Sequence, residues 1–183
     1  MENTYCFIFG KTPQLSLAEI MAVLGSGIKL LLVTEDAAIV SCPQPLAVAK
    51  LQDQLGGTIK IGLIFGTTTD LAEINWSKWW QPTAGRFQFG FSAYGLSRSE
   101  QVKVKNVGLR LKKTWVSQGS PCRLVVGKEA ALSSVIVIKE KLLNPGADFL
   151  IISDPNKKCW WLGQTQACQK FAEYAEAEFG RPQ

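Results

Sequence analysis

Histidine is absent from all 183 residues. Its absence removes the commonest neutral-pH general base, the usual partner of a nucleophilic serine or cysteine, and the commonest zinc ligand. An unassisted hydrolase is therefore a poor reading, while chemistry on Asp, Glu or Lys stays open. Cysteine offers little more: Cys6, Cys42, Cys122, Cys159 and Cys168 are five in number, scattered and never in a CxxC pair, so they read as free core thiols. Long apolar runs are missing too. Stretches such as Leu30-Leu31-Leu32-Val33 and Val135-Ile136-Val137-Ile138 fall far short of the roughly 20 residues that cross a bilayer. Met1-Glu2-Asn3-Thr4 has neither the basic region nor the apolar segment of a signal peptide, so a cytoplasmic product without membrane contact is expected. No GxGxxG, Walker A or GxSxG pattern occurs.

What is present is a real core and an uneven distribution of charge. At 46% apolar residues the chain fits one domain or two compact ones. Residues 98–141 carry ten Lys or Arg against three Asp or Glu, whereas residues 1–70 carry four against six. The late block thus supplies +7, more than the +5 of the whole chain, and a polyanion should meet the protein there first.

The first 66 residues read as strand, helix, strand, strand, helix, strand. Tyr5-Cys6-Phe7-Ile8-Phe9 is strand-like, and Ser16-Leu17-Ala18-Glu19 has the spacing of a helix capping box. Leu17, Ile20, Met21 and Leu24 follow at helical spacing, with Gly25 as a stop. Strands at 28–33 and 37–41 flank a Thr34-Glu35-Asp36 turn; a helix at 45–55 closed by Gly56-Gly57 and a strand at 58–65 complete a split βαβ unit. Residues 67–85 change character and read as a linker. Its Trp76, Trp79 and Trp80 suit burial between modules or against the sheet better than base stacking or partner contact, since large rings are costly to expose.

A second α/β module starts with a strand at 87–93. A helix over 103–117 carries Val104, Val107, Leu111 and Trp115 on one side, with Lys103, Arg110 and Lys113 on another face and Lys105 and Lys112 further round. Residues 124–126 read as a strand; the segment from Ser133 or Ser134 to Leu143 reads as a helix, although the run 135–138 suits a strand equally. Strands at 149–152 and 160–165 and a helix at 171–179 complete the pattern. The fold class is α+β.

The central constellation is basic: Lys103, Lys105, Arg110, Lys112 and Lys113, with Arg98, Arg123, Lys128, Lys139 and Lys141 from neighbouring elements. Lysine neutralises phosphate without geometric demands, and arginine clamps two oxygens or stacks on a base. A solvated helix face or an acidic protein surface accounts for the same charges. Ser133 and Ser134 at a helix start offer free N–H groups to a phosphate or simply cap the helix. Asp53 and Glu73 have no spacing that forces them together, and no catalytic or metal-binding residue is assigned.

Several segments in one order carry a resemblance: Thr12-Pro13-Gln14-Leu15-Ser16-Leu17-Ala18-Glu19-Ile20, Leu55-Gly56-Gly57-Thr58-Ile59-Lys60-Ile61-Gly62, Phe89-Gly90-Phe91-Ser92-Ala93-Tyr94-Gly95, Leu132-Ser133-Ser134-Val135-Ile136-Val137 and Phe179-Gly180-Arg181-Pro182. Together they resemble the N-terminal half of the THUMP-containing tRNA guanine-N2 methyltransferases. The resemblance implies a ferredoxin-like N-terminal domain at 1–66 and a linker at 67–85. A THUMP-like RNA-binding domain follows at 86–168, and 169–183 starts a connector to a catalytic half. It implies a tRNA partner held by its acceptor stem and 3′ end, and a methyltransferase catalytic domain or subunit as second partner. It implies no cofactor in this chain, since S-adenosylmethionine belongs to that Rossmann-like half, whose cofactor glycines and catalytic loop have no counterpart here. Asp154-Pro155-Asn156 lacks the second proline and the aromatic residue of that loop and reads as a turn. The expectation is a chain that binds tRNA without turning it over, either a fragment or a separate subunit. The alternative is a free-standing RNA-binding or protein-assembly module with no part in methylation.

Overall fold

In the computed structural model, which describes residues 3–82 and 85–170, the apolar runs of both halves join one eight-stranded sheet. The elements run β1 (Asn3–Phe9), α1 (Pro13–Leu24), β2 (Lys29–Val33), β3 (Ala37–Cys42), α2 (Val48–Gln54) and β4 (Thr58–Thr68), then two short 3-10 turns at Leu71–Glu73 and Trp76–Lys78. They continue with β5 (Phe87–Tyr94), α3 (Arg98–Ser117), β6 (Cys122–Val125), α4 (Ser134–Lys139), β7 (Ala147–Asp154) and β8 (Cys159–Cys168). Sheet order is β2-β3-β1-β4-β8-β7-β5-β6. Pairs are antiparallel except β5 with β6 and β5 with β7. The architecture is α+β with a mixed sheet, and its first six elements keep the split βαβ order expected of them. The helix expected at 171–179 lies outside the described residues.

Alternation along the strands sorts side chains between the two faces. Tyr5, Phe7 and Phe9 join Ile20 and Leu51 of the first two helices, whereas Cys6 and Ile8 join Leu150 and Ile152 of β7 in a separate cluster. Phe87, Phe89 and Phe91 pack with Trp115 of α3, Phe149 of β7 and Trp76. The Trp76 and Phe149 ring centroids lie 4.5 Å apart. Trp76 is fully buried, so this ring of the expected linker is part of the core. Strand β4 runs past Phe65 to Thr68 because β8 pairs with it from Lys60↔Cys168 to Thr68↔Trp160.

Three local expectations are corrected. The Ser16–Glu19 capping box does not form: α1 starts at Pro13, a favoured first helical residue, and Ser16 lies inside the helix. There the Ser16 hydroxyl donates to the Gly57 carbonyl at 2.6 Å, and the Glu19 carboxylate accepts the Gly56 and Gly57 N–H groups at 2.9 Å each. A Cβ on Gly57 would stand 2.8 Å from Ser16 Oγ and 3.1 Å from Ser16 Cα, so only glycine fits this grip. The capping box belongs instead to Ser97 and Glu100, which start α3 five residues before Lys103: Glu100 Oε2 accepts the Ser97 N–H at 2.7 Å and Ser97 Oγ accepts the Glu100 N–H at 3.4 Å. Finally, Met21 is exposed although its spacing suggested a core position. For 135–138 the structure selects helix, with Ser133 as cap, ending at Lys139 rather than Leu143.

Across the centre of the sheet, four strands share one buried polar knot. Lys60 Nζ of β4 lies 2.9 Å from Asp148 Oδ2 of β7 and donates to Ser92 Oγ of β5 at 2.8 Å. Ser92 donates to Asp148 Oδ1 at 2.7 Å, and Thr165 of β8 donates to Asp148 Oδ2 at 2.7 Å. The Leu132 N–H reaches Ser92 Oγ at 3.2 Å, which ties the segment before α4 to the same point. Both charged side chains are at most 1% exposed, so the loss of either leaves an unsolvated charge. Lys60→Met is therefore expected to lower unfolding free energy by about 3–5 kcal/mol in urea titration. Adding Asp148→Leu should recover much of that loss, and a single variant as stable as the parent would show that the pair carries no such constraint.

Candidate nucleic-acid groove

The parallel trio β6, β5 and β7 sends its chain ends, Val125, Tyr94 and Asp154, toward one side of the sheet. Ligands of such sheets settle outside the carboxyl ends of parallel strands, where loops diverge. Here the N-terminal half of α3 and residues 126–133 flank that edge. Two adjoining cavities lie there, of about 180 Å³ and about 530 Å³, with Ala93, Gln101, Glu129 and Ala130 common to both walls. Lys105 from α3 and Lys128 from the segment after β6 line the smaller one, above Phe91 and Val104. Tyr94, Gly95 and Ser133 line the larger. The result is a groove with an apolar floor, ammonium groups from two elements and two carboxylates, Glu129 in both walls and Asp36 in the larger cavity.

The expected binding residues divide between this groove and other surfaces. Lys105, Lys128 and Ser133 line it, and Arg98 is exposed at the first position of α3. Lys103, Lys112 and Lys113 are exposed along α3. Arg110, on the same helix, donates to the Ala72 carbonyl, so part of its guanidinium is engaged by the turn after β4. Arg123 of β6 donates through Nε to Gln88 Oε1 at 2.6 Å and pairs with Glu140, which offsets its charge. Lys139 is exposed in the last turn of α4, and Lys141 follows it in a left-handed conformation at φ 54°. Ser133 and Ser134 part company: Ser133 Oγ accepts the Ile136 N–H at 3.4 Å, while Ser134 is buried and donates to the Ile59 carbonyl at 3.2 Å.

Sequence reasoning passed over Gln101, which lines both cavities and donates to the Leu96 carbonyl at 3.0 Å. Its signal was the overlooked Ser97–Glu100 box, which sets Gln101 in the first turn of α3 at the mouth of the groove. Asp154-Pro155-Asn156 forms the expected turn, with Asp154 Oδ1 accepting the Asn156 and Lys157 N–H groups at 3.2 and 3.1 Å.

Burial, with the Asp148 charge as a lesser contribution, pushes the Tyr94 phenol well above its usual range. Burial also pushes the Cys6 thiol up to about 12 and the Cys168 thiol up to about 11. Neither is a thiolate at neutral pH, the form that nucleophilic and redox chemistry needs. Among the described residues no group of three His, Cys, Asp or Glu is placed to hold a metal ion.

No family model matches the chain, and no curated protein sequence does. Solved structures do resemble it. A possible methylase from Clostridium difficile 630 is 14% identical with a TM-score of 0.49, over 90% of this chain and 41% of that one. TrmN from Thermus thermophilus is 14% identical with a TM-score of 0.48, over 91% of this chain and 46% of that one. A 4-thiouridine synthetase in complex with RNA and ATP is 12% identical with a TM-score of 0.46, over 90% and 41%. The chain thus spans less than half the length of these proteins. At such identities and scores the likeness says nothing about substrate or chemistry.

The buried thiols generate a pH prediction. Unfolded thiols ionise near 9, below their folded values, so their contribution to stability is full below about pH 9 and declines as pH rises toward 11 and 12. The urea midpoint is expected to fall between about pH 9 and about pH 11, and Cys6→Ala to flatten that fall. A slope untouched by the substitution would assign it to other groups.

Proposed function

We propose that this chain is the tRNA-binding portion or subunit of a tRNA guanine-N2 methyltransferase, receiving the acceptor 3′ end in the groove beside β5. In this reading residues 1–66 brace the assembly, 67–85 link it, 86–168 hold the RNA, and 169–183 lead toward a separate half that binds S-adenosylmethionine. The observation that carries it is the meeting of Lys105 and Lys128, from two elements far apart in sequence, at the carboxyl ends of parallel strands inside the +7 block. The apolar floor admits unstacked bases while the ammonium groups take the phosphates. The ordered segment resemblance supplies the enzyme family, and the buried thiols and lack of histidine fit a chain that positions RNA for chemistry done elsewhere.

Fluorescence anisotropy with labelled tRNA, and with a transcript lacking the single-stranded 3′ end, tests the reading. The intact tRNA should bind more tightly, and added salt should weaken it. Lys105→Glu with Lys128→Glu should raise Kd about tenfold or more, and reversal of Lys103, Arg110 and Lys113 should weaken binding of both RNAs alike. Equal affinity of the parent protein for the two transcripts would sink recognition of the end.

A further inference from the structure

Helix α3 has a second apolar face that the core does not use. Val104, Val107, Leu111 and Trp115 are buried, yet Val102, Leu109 and Val116 on the opposite side are 58%, 45% and 51% exposed. Single exposed apolar residues are ordinary. These three recur every seventh residue, which keeps them on one line that drifts only about 20° per step along the helix. Cations repeat with them at the same interval. Arg98, Lys105 and Lys112 run along one side of the row, Lys113 lies on the other, and Lys103 and Arg110 stand further round. From 101 to 117 the helix has no acidic residue, and Glu100 at its start is engaged in the cap.

A row of one apolar residue per heptad, bordered by charge, gives a narrow strip for helix-on-helix packing, in which flanking charges select the partner as they do in coiled coils. Phosphate binding explains the lysines but gives no reason for Val102, Leu109 and Val116 to share a line. The geometry points to a protein-docking surface: the outward face of α3 takes an acidic amphipathic helix from a partner protein, its apolar residues against this row and its carboxylates against the lysines. Val102, Leu109 and Val116 lie outside the groove lining, although Lys105 borders both surfaces, and the inference stands whether or not the groove binds RNA.

The probe is a labelled peptide of about three heptads, with leucine at the first and fourth positions and glutamate at the fifth and seventh. Its controls replace glutamate with lysine or leucine with serine. The full 183-residue chain is expected to bind the acidic peptide saturably and neither control. The combined change Val102→Ser, Leu109→Ser and Val116→Ser should raise Kd at least about tenfold while leaving tRNA affinity within about twofold. Leu109→Gln alone, expected to raise Kd about threefold, serves if the triple variant unfolds early. The inference is overturned by absence of saturation up to about 1 mM peptide or by equal binding to the serine variant. Without peptide binding, loss of tRNA affinity in the serine variant would give the row to RNA, and a serine-sensitive dimer would give it to a second copy; either result also overturns the inference.

Discussion

An ammonium group with no water around it dictates how the strands meet. Lys60 is fully buried, and its charge is tolerable only because Asp148 and Ser92 stand within 3 Å. Those partners come from β7 and β5, and Thr165 of β8 takes a remaining site on the carboxylate. Slipping any of these strands by one residue turns its side chain to the opposite face and strands the lysine. Hydrophobic contacts alone tolerate repacking of similar volumes. The polar knot does not, so it fixes register where the first four strands meet the last four.

The same knot places the groove. Leu132 donates its N–H to Ser92, which pins the segment between Lys128 and α4 to the centre of the sheet. Ser134, the residue that follows the Ser133 cap of α4, then reaches the Ile59 carbonyl of β4. A wall that carries Lys128 and Ser133 is thereby held by strands from both halves of the chain. Opposite it, α3 is anchored through Trp115 to Phe87 and Phe89. The groove is consequently a product of the whole sheet rather than of residues 86–168 alone.

Much of this was legible where the information is local. The period of Val104, Val107, Leu111 and Trp115 located the buried side of α3, and turn residues such as Thr34-Glu35-Asp36 and Asp154-Pro155-Asn156 separated the strands. Nonlocal partners were not legible. Lys60 sits in the strand-like run Thr58-Ile59-Lys60-Ile61 and looks like any outward-facing lysine until Asp148, 88 residues later, is brought beside it. Ser16 and Glu19 have the spacing of a local cap, but Gly56 and Gly57 claim both side chains from across the fold. Among the basic residues, charge was visible and accessibility was not: Arg123 is neutralised by Glu140, whereas Lys105 and Lys128 are left facing a cavity.

The position of β8 between β4 and β7 has a consequence for how the protein is made. The two strands it joins emerge from the ribosome earlier, at Thr58–Thr68 and Ala147–Asp154, yet neither has its shared neighbour until Cys159–Cys168 has followed. Until then each presents an open edge of backbone donors and acceptors, a template for pairing with another nascent chain. Pairing of β4 with β8 is thus a late event with a long intervening segment behind it, and the interval before it is when the β4 edge is most open to wrong partners.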